Sequence, residues 1–235
     1  MTHPRGTGRS DQHATLPEGL AGELAPAAVD AVVFDVGNVL VRWDPALAVA
    51  AAVGPERAAA FIADPGFDFA TWNHANDAGR PWDEAERVAV ERHPHFAAEI
   101  RAYREHFGHS LVEEVAGSVA ILRELHEAGV PLFALTNWSA ELFPVALERF
   151  DFLELFEDIV VSGEEGLAKP DPEIFEVLEE RVRHRGGLDD CIFIDDSPAN
   201  VTAALEAGLD AIHFTDPEHL REDLLVRGLP LRPTG

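Results

Sequence analysis

The chain has 235 residues, 46% of them hydrophobic, and carries 43 acidic against 18 basic side chains, a formal charge of −25. Such a length and apolar content suffice for one domain with a sizeable insertion or for two small domains, each with a buried core. The charge argues against nucleic acid and anionic membrane surfaces as partners, and any anionic small substrate has to be held by local cations that overcome the field of the whole molecule.

Residues 1–28 are rich in Gly, Pro and polar side chains without periodicity and read as a flexible leader. No apolar segment follows its arginines, so it does not read as a signal peptide, and no apolar run approaches the ~20 residues needed to cross a bilayer. The expected compartment is the cytoplasm. The first strand candidate is "AVVF" (31–34), and Asp35 follows it directly. Residues 45–109 are rich in Ala, Glu and Arg, have aromatic residues at intervals and offer no strand candidate, so they read as a mostly helical insertion. Within it, "FDFATWNHANDAGRPW" (67–82) supplies Trp72, Asn73, His74, Asp77 and Arg80 as groups able to read a substrate. The same stretch also reads as the insertion's own aromatic core, the slightly preferred alternative.

After the insertion, "GSVAILRELHEAGV" puts Val119, Leu122 and Leu125 on one helical face and stops at Gly129. Four more strands are predicted at 131–135, 158–162, 191–194 and 211–214. Between them, "DPEIFEVLEERV" places Asp171 as N-cap, Pro172 at the first helical position and Phe175, Leu178 and Val182 on one stripe. "SPANVTAALEAGL" repeats the device with Ser197, Pro198 and inward Val201, Ala204 and Leu205, and Gly208 ends it. Cys191, the only cysteine, sits in the apolar run "CIFI" and reads as a buried structural thiol. Alternating strands and helices predict an α/β fold, a doubly wound parallel sheet, with the core at 29–44 and 110–235 and the helical insertion at 45–109.

In open parallel sheets, ligands bind beyond the carboxyl ends of the strands. The predicted strands end in Asp35, in Thr136-Asn137, in a loop leading to Lys169, and in Asp195-Asp196. Lys169 is the chain's single lysine, which makes it a position to watch. Three carboxylates converging in a cleft persist only with a counter-cation or with protons taken up, and an all-oxygen donor set favours Mg²⁺. No histidine spacing suggests a zinc site.

The segments "FDVGNVL", "LTNWS", "AKPDPEIF" and "FIDDSPANV", in this order, resemble the four motifs of the haloacid dehalogenase superfamily of phosphatases. The resemblance covers about residues 30–215, and in style it is similar to sugar-phosphate phosphatases and to the phosphatase domain of bifunctional epoxide hydrolases. It implies a Rossmann-like core with a helical cap at the insertion and hydrolysis of a small phosphorylated metabolite. Asp35 would be the nucleophile that forms an aspartyl-phosphate. Asp35, the Gly37 carbonyl and Asp196 would hold Mg²⁺, with Asp195 acting directly or through water. Thr136 and the Asn137 backbone N–H would grip the phosphoryl oxygens, and Lys169 would neutralise developing charge. Trp138, beside the phosphate-binding turn, joins Trp72 and Asn73 as a candidate substrate contact.

The sequence departs from the family pattern at one position. Many of these phosphatases carry a second Asp two residues after the nucleophile as acid and base, and here Gly37 stands in its place. Glycine suits a backbone that approaches a ligand closely, but it removes help that is typically worth about 10²–10⁴-fold. Two rival readings follow: a metal-independent 2-haloacid dehalogenase, or a phospholigand-binding module with weakened catalysis. Neither the substrate nor the oligomeric state is written in these residues.

Overall fold

The computed structural model describes residues 31–233, and the leader predicted for residues 1–28 lies outside the described residues. In chain order, β1 (Ala31–Phe34) and β2 (Val41–Trp43) are followed by five helices: α1 (Pro45–Val53), α2 (Pro55–Ile62), α3 (Phe69–Asp77), α4 (Trp82–Arg92) and α5 (Ala97–Glu105). The chain then forms β3 (Leu111–Glu114), α6 (Ala116–Glu127), β4 (Leu132–Thr136), α7 (Phe143–Arg149), β5 (Asp158–Val161) and the single turn α8 (Ser162–Glu165). It ends with α9 (Pro172–Val182), β6 (Cys191–Asp195), α10 (Pro198–Glu206), β7 (Asp210–His213) and α11 (Pro217–Val226).

Five strands form one parallel sheet in the order β5-β4-β1-β6-β7. All four residues of β1 are fully buried at its centre, as a short Val- and Phe-rich run covered on both faces should be. Alternate side chains face opposite layers. Val32, Phe34, Leu132, Ala134, Ile192 and Ile194 join the core that includes Val119, Leu122 and Leu125 of α6 and Leu220 and Leu224 of α11. Ala31, Val33, Phe133, Leu135, Cys191 and Phe193 join the other core, with Ile174, Phe175, Leu178 and Val182 of α9 and Ala204 of α10. The two layers make the doubly wound α/β arrangement that the alternating pattern predicts.

The five predicted strands are present within a residue of their expected limits. Two more strands, β2 and β3, pair antiparallel as a separate ribbon, and the five-helix insertion runs between them. Three details of the helices differ from expectation. Asp171 and Ser197 occupy N-cap positions, yet neither side chain makes a capping hydrogen bond. Leu205, expected to face inward, is 54% exposed, because α10 buries only Asn200 and Ala204.

Candidate active site

The Asp35 N–H donates to the Ile194 carbonyl at 2.8 Å, which seats the residue on the rim between β1 and β6. The chain then reverses through Asn38, whose N–H donates to Val41 O at 2.7 Å and whose φ of 56° is in the left-handed region that Asn tolerates. Gly37 is not there for lack of room: a Cβ added to it would meet nothing within 4 Å.

Lys169 lies beneath this turn and is almost fully buried. Its ammonium donates to Asp195 Oδ2 and to Leu135 O, each at 2.7 Å, and lies 3.0 Å from Asp35 Oδ1. Three donors therefore meet three acceptors, the full capacity of the group. Burial alone would lower its pKa, but Asp35 and Asp195 outweigh that and raise it, so the cation is held firmly. The Asn137 side chain fixes the lysine's backbone from both sides: Nδ2 donates to Lys169 O, and Oδ1 accepts from Lys169 N–H, each at 2.8 Å.

Asp195 is completely buried. Its Oδ1 accepts from Ser197 N–H at 2.8 Å and from Asn200 Nδ2 at 3.0 Å, while Oδ2 accepts from Lys169 and, at 3.1 Å, from the same Asn200 amide. Asp196 is half-buried and remains more open. One oxygen from each of Asp35, Asp195 and Asp196 falls within 4.8 Å of the others. Burial pushes the Asp35 carboxyl up to about 7; Lys169 opposes this, and Asp195 and Asp196 add to it. Asp196 is likewise raised, by burial and by Asp195, with an Asn38 hydrogen bond pulling the other way. Lys169 thus leaves the acids short of positive charge, and a hard divalent cation supplies what a cluster of carboxylate oxygens lacks.

Above the rim is a cavity of about 270 Å³. The core contributes Asp35, Gly37, Asn38, Asn137, Trp138, Leu142, Lys169, Asp196 and Asn200, and the insertion contributes Ala70, Asn73, His74, Asp77, Tyr103 and Phe107. Trp43 of β2 completes the wall. Asp77 accepts from Asn73 Nδ2 at 2.7 Å and from the Ser139 N–H, and burial raises its pKa well above the usual carboxylate range. The insertion is fastened over the cavity by Trp82 Nε1 donating to Ser139 Oγ at 2.7 Å, Trp82 N–H donating to Glu141 at 2.9 Å, and Ser162 Oγ donating to Asp77 O at 2.6 Å.

The sequence-predicted residues Asp35, Gly37, Asn137, Trp138, Lys169, Asp196 and Asn73 all line this cavity, and Asp195 lies directly below them. Thr136 is buried at the end of β4 and does not reach the lining. Trp72 is a correction. Its ring packs 5.3 Å from Trp82, 5.5 Å from Phe67 and 5.8 Å from Phe69, so it belongs to the insertion's aromatic core and not to the cavity. Arg80 likewise turns to Asn76 Oδ1 at 2.7 Å and Trp72 O at 2.8 Å and closes the end of α3. Trp43, Tyr103 and Phe107 line the cavity without having been singled out in the sequence. They carry no motif, and only the docking of the insertion brings them to the rim.

The family model of the haloacid dehalogenase-like hydrolases matches residues 29–208, more than half the chain. The chain belongs to this family. Among relatives of this haloacid dehalogenase-like hydrolase, the sesquiterpene phosphatase astK of Aspergillus oryzae is 27% identical over 79% of this chain and 90% of that protein. A phosphoglycolate phosphatase of Vibrio cholerae is 27% identical over 80% of this chain and 85% of its own length. The fold is also that of the haloacid dehalogenase family enzyme bt-2542 of Bacteroides thetaiotaomicron, solved with magnesium and inorganic phosphate. That structure superposes with a TM-score of 0.63 at 19% identity, over 80% of this chain and 96% of the other.

Proposed function

We propose that this haloacid dehalogenase-like hydrolase is a Mg²⁺-dependent phosphomonoesterase that cleaves a small phosphorylated metabolite through an aspartyl-phosphate on Asp35. The observation that carries the reading is the meeting of three acids within 4.8 Å around one buried lysine, at the mouth of a cavity. An ion-free displacement needs no such cluster, and the repulsion it contains would go uncompensated.

Asp35, Asp196 and the Gly37 carbonyl would hold Mg²⁺. Asp195 has its acceptors committed to Lys169, Ser197 and Asn200, and its part is to anchor the lysine. When bound, the ion offsets the negative charge of the acids and of the phosphoryl group. Asp35 attacks phosphorus in line. Lys169 balances charge on the phosphoryl oxygens, and Asn137 holds the lysine's backbone in place. The Asn137 N–H would complete the grip on those oxygens, while Thr136, buried beneath the lining, would take no direct part. The relatives are named for substrates as different as phosphoglycolate and sesquiterpene phosphates. With Lys169 occupied, the cavity wall of Trp43, Tyr103, Phe107, Trp138 and Leu142 fits an uncharged leaving group with an apolar body better than one bearing a second carboxylate.

The test is phosphate release from a panel of phosphomonoesters with Mg²⁺, with EDTA, and with Asp35→Asn. Activity lost in both controls is the expected result. Turnover that survives EDTA, or survives in Asp35→Asn, overturns the reading.

A further inference from the structure

The nucleophile's own loop carries no acid. Gly37 occupies the place where a second aspartate would stand, although a side chain there would meet nothing within 4 Å. A leaving alkoxide still requires a proton. The ionisable groups on the cavity wall are few, and most are already committed. Asp35 and Asp196 belong to the acid cluster, and Lys169 is held between Asp35 and Asp195. On the insertion side the wall offers His74, Asp77 and Tyr103. Burial and the nearby Asp77 push the Tyr103 hydroxyl well above its ordinary value, which makes it a reluctant donor. His74 is exposed.

We propose that Asp77, presented by the insertion across the cavity from Asp35, is the acid that protonates the leaving oxygen. This rests on the phosphoryl-transfer reading above. Asp77 is the last residue of α3, and it is fixed by both its backbone and its side chain. Ser162 of the core donates to its carbonyl at 2.6 Å, and the Ser139 N–H and Asn73 Nδ2 hold its carboxyl. Ser139 lies two residues beyond Asn137, so the acid is fastened to the same loop that fixes Lys169. Desolvation raises the pKa of Asp77, a shift towards the form a donor needs, against the pull of the Ser139 N–H.

The proton balance closes over the two half-reactions. In the first, an Asp35 oxygen bonds to phosphorus, the ester P–O bond breaks, and the leaving oxygen takes the Asp77 proton and departs as neutral alcohol. In the second, the Asp77 carboxylate takes a proton from water as the water oxygen bonds to phosphorus. The Asp35–phosphorus bond then breaks, phosphate is released, and both aspartates regain their starting forms.

The test uses the full chain with Mg²⁺ and two substrates: p-nitrophenyl phosphate, whose leaving group needs no proton, and 2-phenylethyl phosphate, whose leaving group does. Asp77→Asn is expected to lower kcat on 2-phenylethyl phosphate by about 10²–10³-fold and on p-nitrophenyl phosphate by less than about 10-fold. Retained p-nitrophenyl phosphate activity reports that the variant is folded. The wild type is expected to show only a shallow dependence of rate on leaving-group basicity across a series of aryl phosphates. A steep wild-type dependence overturns the proposal. So does an equal change on both substrates in Asp77→Asn, or a loss selective for 2-phenylethyl phosphate in Tyr103→Phe or His74→Gln instead. Activity in Asp35→Asn overturns the phosphoryl-transfer reading itself, a separate outcome.

Discussion

Asp35 stands 7% exposed among two other acids, and its raised pKa makes it a liability to the ion-free fold. In that state the native protein holds a proton here that the unfolded chain, titrating near 3.8, releases earlier. Stability contributed by this group is therefore complete below about 3.8 and is lost as pH rises through about 7. Thermal melts in EDTA should show a midpoint that falls as pH rises across this range. The fall should be smaller in Asp35→Asn, and Mg²⁺ should raise the wild-type midpoint most at the alkaline end. A midpoint independent of pH in EDTA would contradict this picture of the cluster. At this scale the sequence was readable wherever chemistry concentrates at a strand end: Asp35, Asp195, Asp196 and the lone lysine all announce themselves. Asn200 is less conspicuous in the sequence, since an amide near a helix start usually meets water, and it is the fold that brings its Nδ2 to within 3.1 Å of both Asp195 oxygens. Trp72 misled because an aromatic beside amides looks the same whether it faces a cavity or its neighbours' rings.

Among the elements, tolerance is least where α8 packs backbone to backbone against the loop after β4. A Cβ on Gly163, the second residue of α8, would lie 2.4 Å from Ala140 N and 2.8 Å from Trp138 O. No rotamer relieves such a clash, so the loop after β4 has to move, and it is the loop that carries Asn137. Gly163→Ala is expected to lower kcat by more than about 100-fold, in keeping with the cost of displacing positioned groups by an ångström. It should also lower the midpoint of a thermal melt, a second signature of overpacking. Steady-state kinetics and calorimetry on the purified variant would check both. The five strands of the sheet were legible because each is a short apolar run bounded by polar residues. The ribbon was not: β2 and β3 have three and four residues, of which one each is buried, too little for any pattern to emerge. The missing caps at Asp171 and Ser197 show the same limit. Pro at the first helical position marks the helix start correctly, while the preceding side chain need not cap it.

The molecule as a whole carries a formal charge of −25. A phosphomonoester dianion would approach it against that field, and the cluster around Lys169 becomes attractive only once a divalent cation joins its three acids. Screening should therefore help the encounter, the reverse of an enzyme whose surface steers its substrate. Raising ionic strength from about 0.01 M to about 0.15 M shortens the Debye length from roughly 30 Å to roughly 8 Å. Over that interval kcat/KM for a phosphomonoester is expected to rise several-fold while kcat changes little, measured with free Mg²⁺ held constant. A decrease with salt would mean that local cations outside the cavity dominate the approach. This much follows from charge and composition alone. The aromatic wall does not follow from them, because Trp43 comes from β2, Tyr103 and Phe107 from α5 and just after it, and Trp138 from the loop after β4.

The antiparallel pairing of β2 with β3 has one more consequence. The chain leaves the sheet domain along one strand and returns along its hydrogen-bonded neighbour, so everything in between is joined covalently through a single narrow stalk. Such a graft can be exchanged for a larger or smaller one without disturbing the register of any strand beneath it. New specificity can then be acquired by replacing a module, while the acids and the lysine at the sheet's rim stay as they are.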